Sequence, residues 1–182
     1  MEFKQLTEKT RKLSDEDILN NLNIELKQWF EISKEELSKI IKITKDDKHL
    51  ESHEEKYFSD HAKNGFLKLY EGNELVGFIF AHDLEIKWIK FYERWTLWIK
   101  ESMRKHWLWK MLMQKMTELL EWNNILSVTS NPTVQKVNNI IMNYEVTNPN
   151  GLMKDIIESW WPLHDDYKYY INNNLKQILE NN

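Results

Sequence analysis

Between Lys87 and Lys115 the chain carries the cations Lys87, Lys90, Arg94, Lys100, Arg104, Lys105, Lys110 and Lys115. Only Glu93 and Glu101 oppose them, and Trp88, Trp95, Trp98, Trp107 and Trp109 are interleaved. Cations among large rings can hold a carboxylate or a phosphate by charge and dock a partner through rigid aromatic area. The same composition also describes a strand and a helix whose indoles are core and whose lysines lie over apolar surface. Spacing signals no other chemistry. His49, His53, His61, His82, His106 and His164 form no HExxH pairing, and no metal site is predicted. No Ser-His-Asp arrangement can be read from spacing, and no Walker loop is present. With no cysteine, disulfides and thiolate metal sites are excluded.

The elements that would position these residues follow from pattern. At 182 residues one domain is expected, spanning 1–182, with 172–182 as a terminal helix or tail. Apolar residues make up 41% and charged residues 30%, a soluble globular balance. No apolar run approaches a membrane span, and the first residues do not read as a signal peptide, so a cytoplasmic protein is expected. The net charge of −4 argues against a surface that binds polyanions everywhere. Asn, Lys and Ile are abundant and Ala is scarce, the usage of AT-rich genomes, many phages among them.

Phe3 to Leu6 alternates as a first strand. Ser14 and Ser33 read as helix starts; Ser33 has Glu36 three residues on, a capping box. Ser52 to Glu55 repeats that pattern, and Gly65 ends the helix it opens. Phe66–Tyr70 and Glu74–Ala81 read as a hairpin around Gly72-Asn73. Residues 82–92 read as a loop or irregular strand entry, and Trp95–Ile99 as a central strand. Leu108, Leu112, Met116 and Leu119 give one buried face to a helix running from about Arg104 to Trp122. Ile125–Thr129 is strand-like, and Asn131-Pro132 opens a helix with proline in its first turn. Strands at Tyr144–Thr147 and Tyr167–Ile171 and helices at Leu152–Trp161 and Leu175–Leu179 complete the reading.

The ungapped stretch Ile99-Lys100-Glu101-Ser102-Met103-Arg104-Lys105-His106-Trp107-Leu108-Trp109-Lys110-Met111 resembles the acetyl-CoA-binding signature of the GNAT N-acetyltransferase superfamily. That signature is a strand end, an acidic turn, an arginine, then a Gly-x-Gly pair that opens a helix. Trp107 and Trp109 stand at the glycine positions. The glycines matter because N–H groups at a helix start attract phosphate only where no side chain intervenes. The element order resembles the same family over roughly residues 1–172. It implies an α+β fold with a central mixed sheet of about six to seven strands flanked by helices.

The resemblance also implies roles. Leu97 and Ile99 would offer backbone groups to the pantetheine arm. Arg104, Lys105, Trp107, Trp109 and Asn131 occupy further cofactor positions. Glu93 or Glu85 would be the base. Asn138 stands where many members place the tyrosine that protonates the leaving thiolate, and an amide cannot do that. Tyr144 is the nearest substitute.

Two functions are therefore expected to compete. The first is a GNAT-fold protein without acetyl transfer and without a cofactor. It would bind a macromolecule, a protein above all, through Arg94, Arg104, Lys105, Trp107 and Trp109. Such a domain would suit a phage or mobile-element inhibitor of a host nuclease such as a CRISPR effector. The alternative is an acetyl-CoA-dependent N-acetyltransferase with an atypical phosphate loop, in which Lys105, His106 and Lys110 hold the phosphates by charge. Nucleic-acid binding through the basic aromatic face is a third expectation.

Overall fold

The computed structural model describes residues 1–6, 19, 24–29, 32–47, 50, 53–160 and 166–181. The expected helix start at Ser14 and the break at Pro162 lie outside them. In chain order the elements are β1 (Glu2–Gln5), β2 (Ile24–Trp29), α1 (Lys34–Asp46), α2 (Glu55–Ala62), β3 (Phe66–Glu71), β4 (Glu74–Ile86) and β5 (Ile89–Ile99). A 3₁₀ helix (Glu101–His106) leads into α3 (Leu108–Leu119), β6 (Ile125–Thr129), α4 (Pro132–Ile141), β7 (Tyr144–Thr147), α5 (Gly151–Trp160), β8 (Lys168–Ile171) and α6 (Asn173–Glu180). The strands form one mixed sheet in the order β1-β7-β8-β6-β5-β4-β3-β2. The β5–β6 pair is parallel, as a strand–helix–strand crossover through α3 requires.

The sheet has one strand more than the upper expectation. The addition is β2, which lies in a stretch read as helical. It pairs antiparallel with β3 from Ile24–Glu71 to Trp29–Phe66. Pairing with a strand more than thirty residues away is a tertiary fact that local propensity does not carry.

Contacts divide the chain into two compact units. One comprises Met1–Arg11, Asp83–Glu93 and Leu120–Asn182. Its core packs Met153, Ile156 and Ile157 of α5 and Leu175 and Leu179 of α6 against Phe91, Leu126 and Ile171. The expected irregular entry at 82–92 is a tight hairpin instead. β4 runs to Ile86, and Lys87 (φ 48) and Trp88 (φ 66) make the turn. Positive φ at both turn residues matches the twist of the flanking strands. Lys-Trp lacks the Asn-Gly chemistry that would have announced it.

The other unit comprises Lys12–His82 and Arg94–Leu119. Its aromatic core sets Phe58, Phe66, Phe78 and Phe80 against Leu37 and Ile40 of α1. The Ser33–Glu36 capping box forms as expected, with reciprocal hydrogen bonds. At α2 the cap residue is Glu54, with no side-chain capping bond. α3 starts at Leu108, four residues later than expected, because the preceding segment winds as a 3₁₀ helix. Among the described residues no helix is long and apolar enough to cross a membrane.

Candidate functional site

In the second unit the candidate residues lie along the end of β5 and the start of α3. Thr96 takes φ 43 within β5, and its buried Oγ1 has no hydrogen-bond partner. A β-branched residue with that backbone is under strain of about 1–3 kcal/mol. Leu97 is half-buried and Ile99 is buried at the strand end. Lys100 donates its N–H to the Val76 carbonyl at 2.8 Å. Gly77 beside it leaves no spare room, since a Cβ there would sit 2.6 Å from Ile99 Cδ1 and 3.2 Å from the Trp98 carbonyl oxygen.

Arg104 folds back on this strand end. Its Nε donates to the Ile99 carbonyl at 3.0 Å, and Nη2 donates to Asp47 Oδ2 at 2.9 Å. Both bonds lie within the chain, and the side chain remains about half exposed. Lys105 lies in the 3₁₀ helix, and its side chain is outside what is described.

Trp107 joins the 3₁₀ helix to α3 with φ 62 and ψ 9. The position keeps the left-handed backbone that glycine adopts freely, but an indole stands on it. Its carbonyl accepts the first helical bond, from Met111 N at 3.1 Å. The indole is 58% exposed and stacks on Trp109 at 6.4 Å between ring centres. The Lys110 ammonium lies 5.9 Å from its ring centre, within cation–π range.

Arg94 is buried, and its Nη1 donates to Thr117 Oγ1 at 2.9 Å. The surface contact expected of Arg94 is not available, because β5 turns this side chain inward against α3.

In the first unit, Glu93 is buried on β5, and its Oε1 accepts the Val128 N–H at 3.4 Å. Tyr144 opens β7, half-buried, with Phe3 edge-on at 6.3 Å and the Lys176 ammonium 5.2 Å above its ring. Glu85 is exposed on β4. Asn131 caps α4, its Oδ1 accepting the N–H groups of Thr133 at 2.9 Å and Val134 at 3.4 Å. Asn138 is fully buried and donates to Ser127 Oγ at 3.0 Å. Tyr170, fully buried in β8, has no hydrogen-bond partner at its hydroxyl. Burial, with Glu145 beside it, pushes that phenol up to about 12.

Sequence reasoning missed a polar network in the second unit. Lys68 is buried in β3, and its Nζ meets Glu36 Oε1 at 2.5 Å. The Tyr70 hydroxyl donates to the same oxygen at 2.5 Å. Burial raises the Glu36 pKa, but hydrogen bonds from Lys68, Tyr70 and Ser33 outweigh it and hold the carboxyl at about 2. The alternation Lys68–Tyr70, with the capping Glu36, was the available signal.

This architecture is the GNAT fold. Arabidopsis thaliana NAA60 in complex with acetyl-CoA superposes with a TM-score of 0.54 at 12% identity, over 81% of this chain and 96% of that one. Arabidopsis thaliana Naa50 in complex with a bisubstrate analogue gives 0.52 at 12% identity, over 81% and 96%. The diaminobutyrate acetyltransferase EctA from Paenibacillus lautus gives 0.50 at 13% identity, over 81% and 93%. No protein-family model and no curated protein sequence matches the chain.

The carbonyl of Ile99 accepts from Arg104, and Trp107 and Trp109 stand at the two positions that correspond to the signature's glycines. Asn138 is turned into the interior towards Ser127, away from any role as an acid.

Proposed function

We propose that this GNAT-fold chain no longer transfers acetyl groups and works by binding a protein partner through the face that carries Trp107 and Trp109. Trp107 is the observation that carries the reading. A bulky residue in left-handed backbone, with its indole more than half exposed, brings no evident benefit to folding. Stacked on Trp109 and flanked by Lys110, it offers a rigid aromatic contact that loses little entropy on docking. Arg104, tied to Asp47 and Ile99, buttresses that face. The composition suits a phage or mobile-element inhibitor of a host defence nuclease such as a CRISPR effector.

The test has two parts. Calorimetric titration of the purified protein with acetyl-CoA is expected to give no binding heat. The double variant Trp107→Glu, Trp109→Glu, folded by circular dichroism, is expected to lose the partner that the parent captures. Micromolar acetyl-CoA binding together with acetyl transfer to amines would overturn the reading.

That outcome would favour a second reading, an N-acetyltransferase with an atypical loop. It draws support from the same φ of 62 at Trp107. The backbone there still leads into the first N–H groups of α3, which lack intrahelical acceptors. Lys105, His106 and Lys110 would then supply charge in place of close backbone approach.

A further inference from the structure

The geometry points to a binding site for a small zwitterion with an apolar body, a free amino acid or short peptide, in the cleft between α1 and the β3–β4 turn. The cleft holds about 640 Å³, within the range of small-ligand pockets. All of it lies within the second unit, and it does not involve Trp107 or the strand end at Ile99.

Its walls carry opposite charge. Lys39 and Lys42, one helical turn apart, line the α1 side. Glu71 and Glu74 line the other, directly opposite each other across the hairpin register. Two carboxylates so placed repel, which weakens the hairpin end unless cations answer them. One of the two is answered from outside, since Lys100 binds Glu74 Oε1 at 2.6 Å. On the helix side Lys39 is answered by Glu35 at 2.7 Å, on its own helix. Among the described residues no ion pair crosses the cleft, and Lys42 and Glu71 have no ion-pair partner.

One cation and one carboxylate therefore remain on opposing walls. Ile43 and Leu75, both half-buried, supply apolar surface to the same cleft. Asn73 at the turn adds a carboxamide that can both donate and accept. A ligand whose carboxylate meets Lys42, whose ammonium meets Glu71 and whose side chain covers Ile43 and Leu75 matches every feature of this lining. An anion alone would leave Glu71 and Glu74 facing it with like charge. A purely apolar ligand would leave both charges unanswered. The volume exceeds what one amino acid fills, so a tripeptide is the first probe.

The experiment titrates the full chain with Ala-Leu-Ala, followed by amide chemical shifts and calorimetry. Free leucine runs in parallel to distinguish an amino-acid site from a peptide site. N-acetyl-Ala-Leu-Ala-amide, which lacks both charges, is the control. The expected result is saturable binding of at least one uncapped probe, with shifts centred on residues 39–43 and 71–75, and none for the capped peptide. Lys42→Glu and Glu71→Lys should each weaken it about tenfold or more, the usual effect of losing a charged hydrogen bond. Both positions are exposed, so both variants should fold, which circular dichroism checks. Absence of binding by both uncapped probes, equal binding of the capped peptide, or indifference to both reversals would overturn the assignment.

Discussion

Glu93 and Tyr144 stand on one row of the sheet, three strands apart. Glu93 is in register with Leu126, Leu126 with Ile171, and Ile171 with Tyr144. Three interstrand spacings place the two backbones about 14 Å apart. Between them lie Leu126 and Ile171, both fully buried. A base and an acid for one acyl transfer must each come within about 3 Å of neighbouring atoms of the same reactants. This row separates them by core.

From that separation we expect Glu93→Gln and Tyr144→Phe to leave acetyl transfer unchanged, at the background seen without protein. Thiol release from acetyl-CoA in the presence of a panel of peptide amines measures it. Turnover by the parent that drops tenfold in either variant would count against the argument.

Asn138 is expected to be structural. Its amide donates to Ser127 inside the first unit, with no exposed surface. Asn138→Ala should destabilise by about 1–2 kcal/mol, by emptying space and stranding a buried hydroxyl. Asn138→Tyr, which would restore the family acid, should cost more through overpacking, about 1–3 kcal/mol or above. Urea unfolding gives both values. A Tyr variant as stable as the parent and newly active would refute the structural role.

Local rules made much of this fold legible. The Ser33–Glu36 box, the Gly72-Asn73 turn and the Asn131-Pro132 helix start each act within a few residues, and each formed. Features set by distant partners were not legible. β2 exists because β3 offers it an edge, and Lys87-Trp88 turns because the strands on either side pair. Lys68 lies in a stretch of β3 buried on both faces, where Glu36 and Tyr70 make its burial tolerable. At the candidate site the ungapped match located Trp107 at the helix junction. The inward turn of Arg94 and the row that separates Glu93 from Tyr144 depend on register, which composition does not encode.

The Glu36 network predicts an acid-sensitive stability. The carboxyl titrates at about 2 in the folded chain, against an ordinary 4.5. A lowered folded-state pKa contributes stability that is fully present above the unfolded pKa and is lost as pH falls towards the folded one. Unfolding free energy should therefore decline from about pH 5 downward towards pH 2. Glu36→Gln should flatten that decline. It should also cost about 1–3 kcal/mol at neutral pH, because Lys68 and Tyr70 would lose their charged acceptor. Chemical denaturation at a series of pH values tests both, and parallel pH curves for variant and parent would show the network to be unimportant.

Trp107 offers the sharpest separation of backbone from side-chain effects. Its φ of 62 costs an L-residue about 1–2 kcal/mol, a strain that glycine does not bear. Trp107→Gly relieves that strain but adds freedom to the unfolded chain and loses the stack on Trp109 and the Lys110 contact. These terms oppose each other, so stability should change by less than about 1 kcal/mol. Trp107→Val keeps the strain, worsens it by β-branching and loses the same contacts, so it should destabilise by about 1–2 kcal/mol. Urea denaturation compares the two, and a valine variant as stable as the glycine variant would mean that the left-handed backbone is not retained in solution. The double variant Trp107→Gly, Trp109→Gly goes further. It bares the N–H groups at the start of α3, where an anion is favoured by both hydrogen bonding and the helix dipole. Acetyl-CoA should raise its melting temperature while leaving the parent unmoved; at a hundred times the dissociation constant the gain is about 2.7 kcal/mol. A parent that responds as strongly as the double variant would show that the indoles never blocked the loop, and the enzyme reading would take precedence.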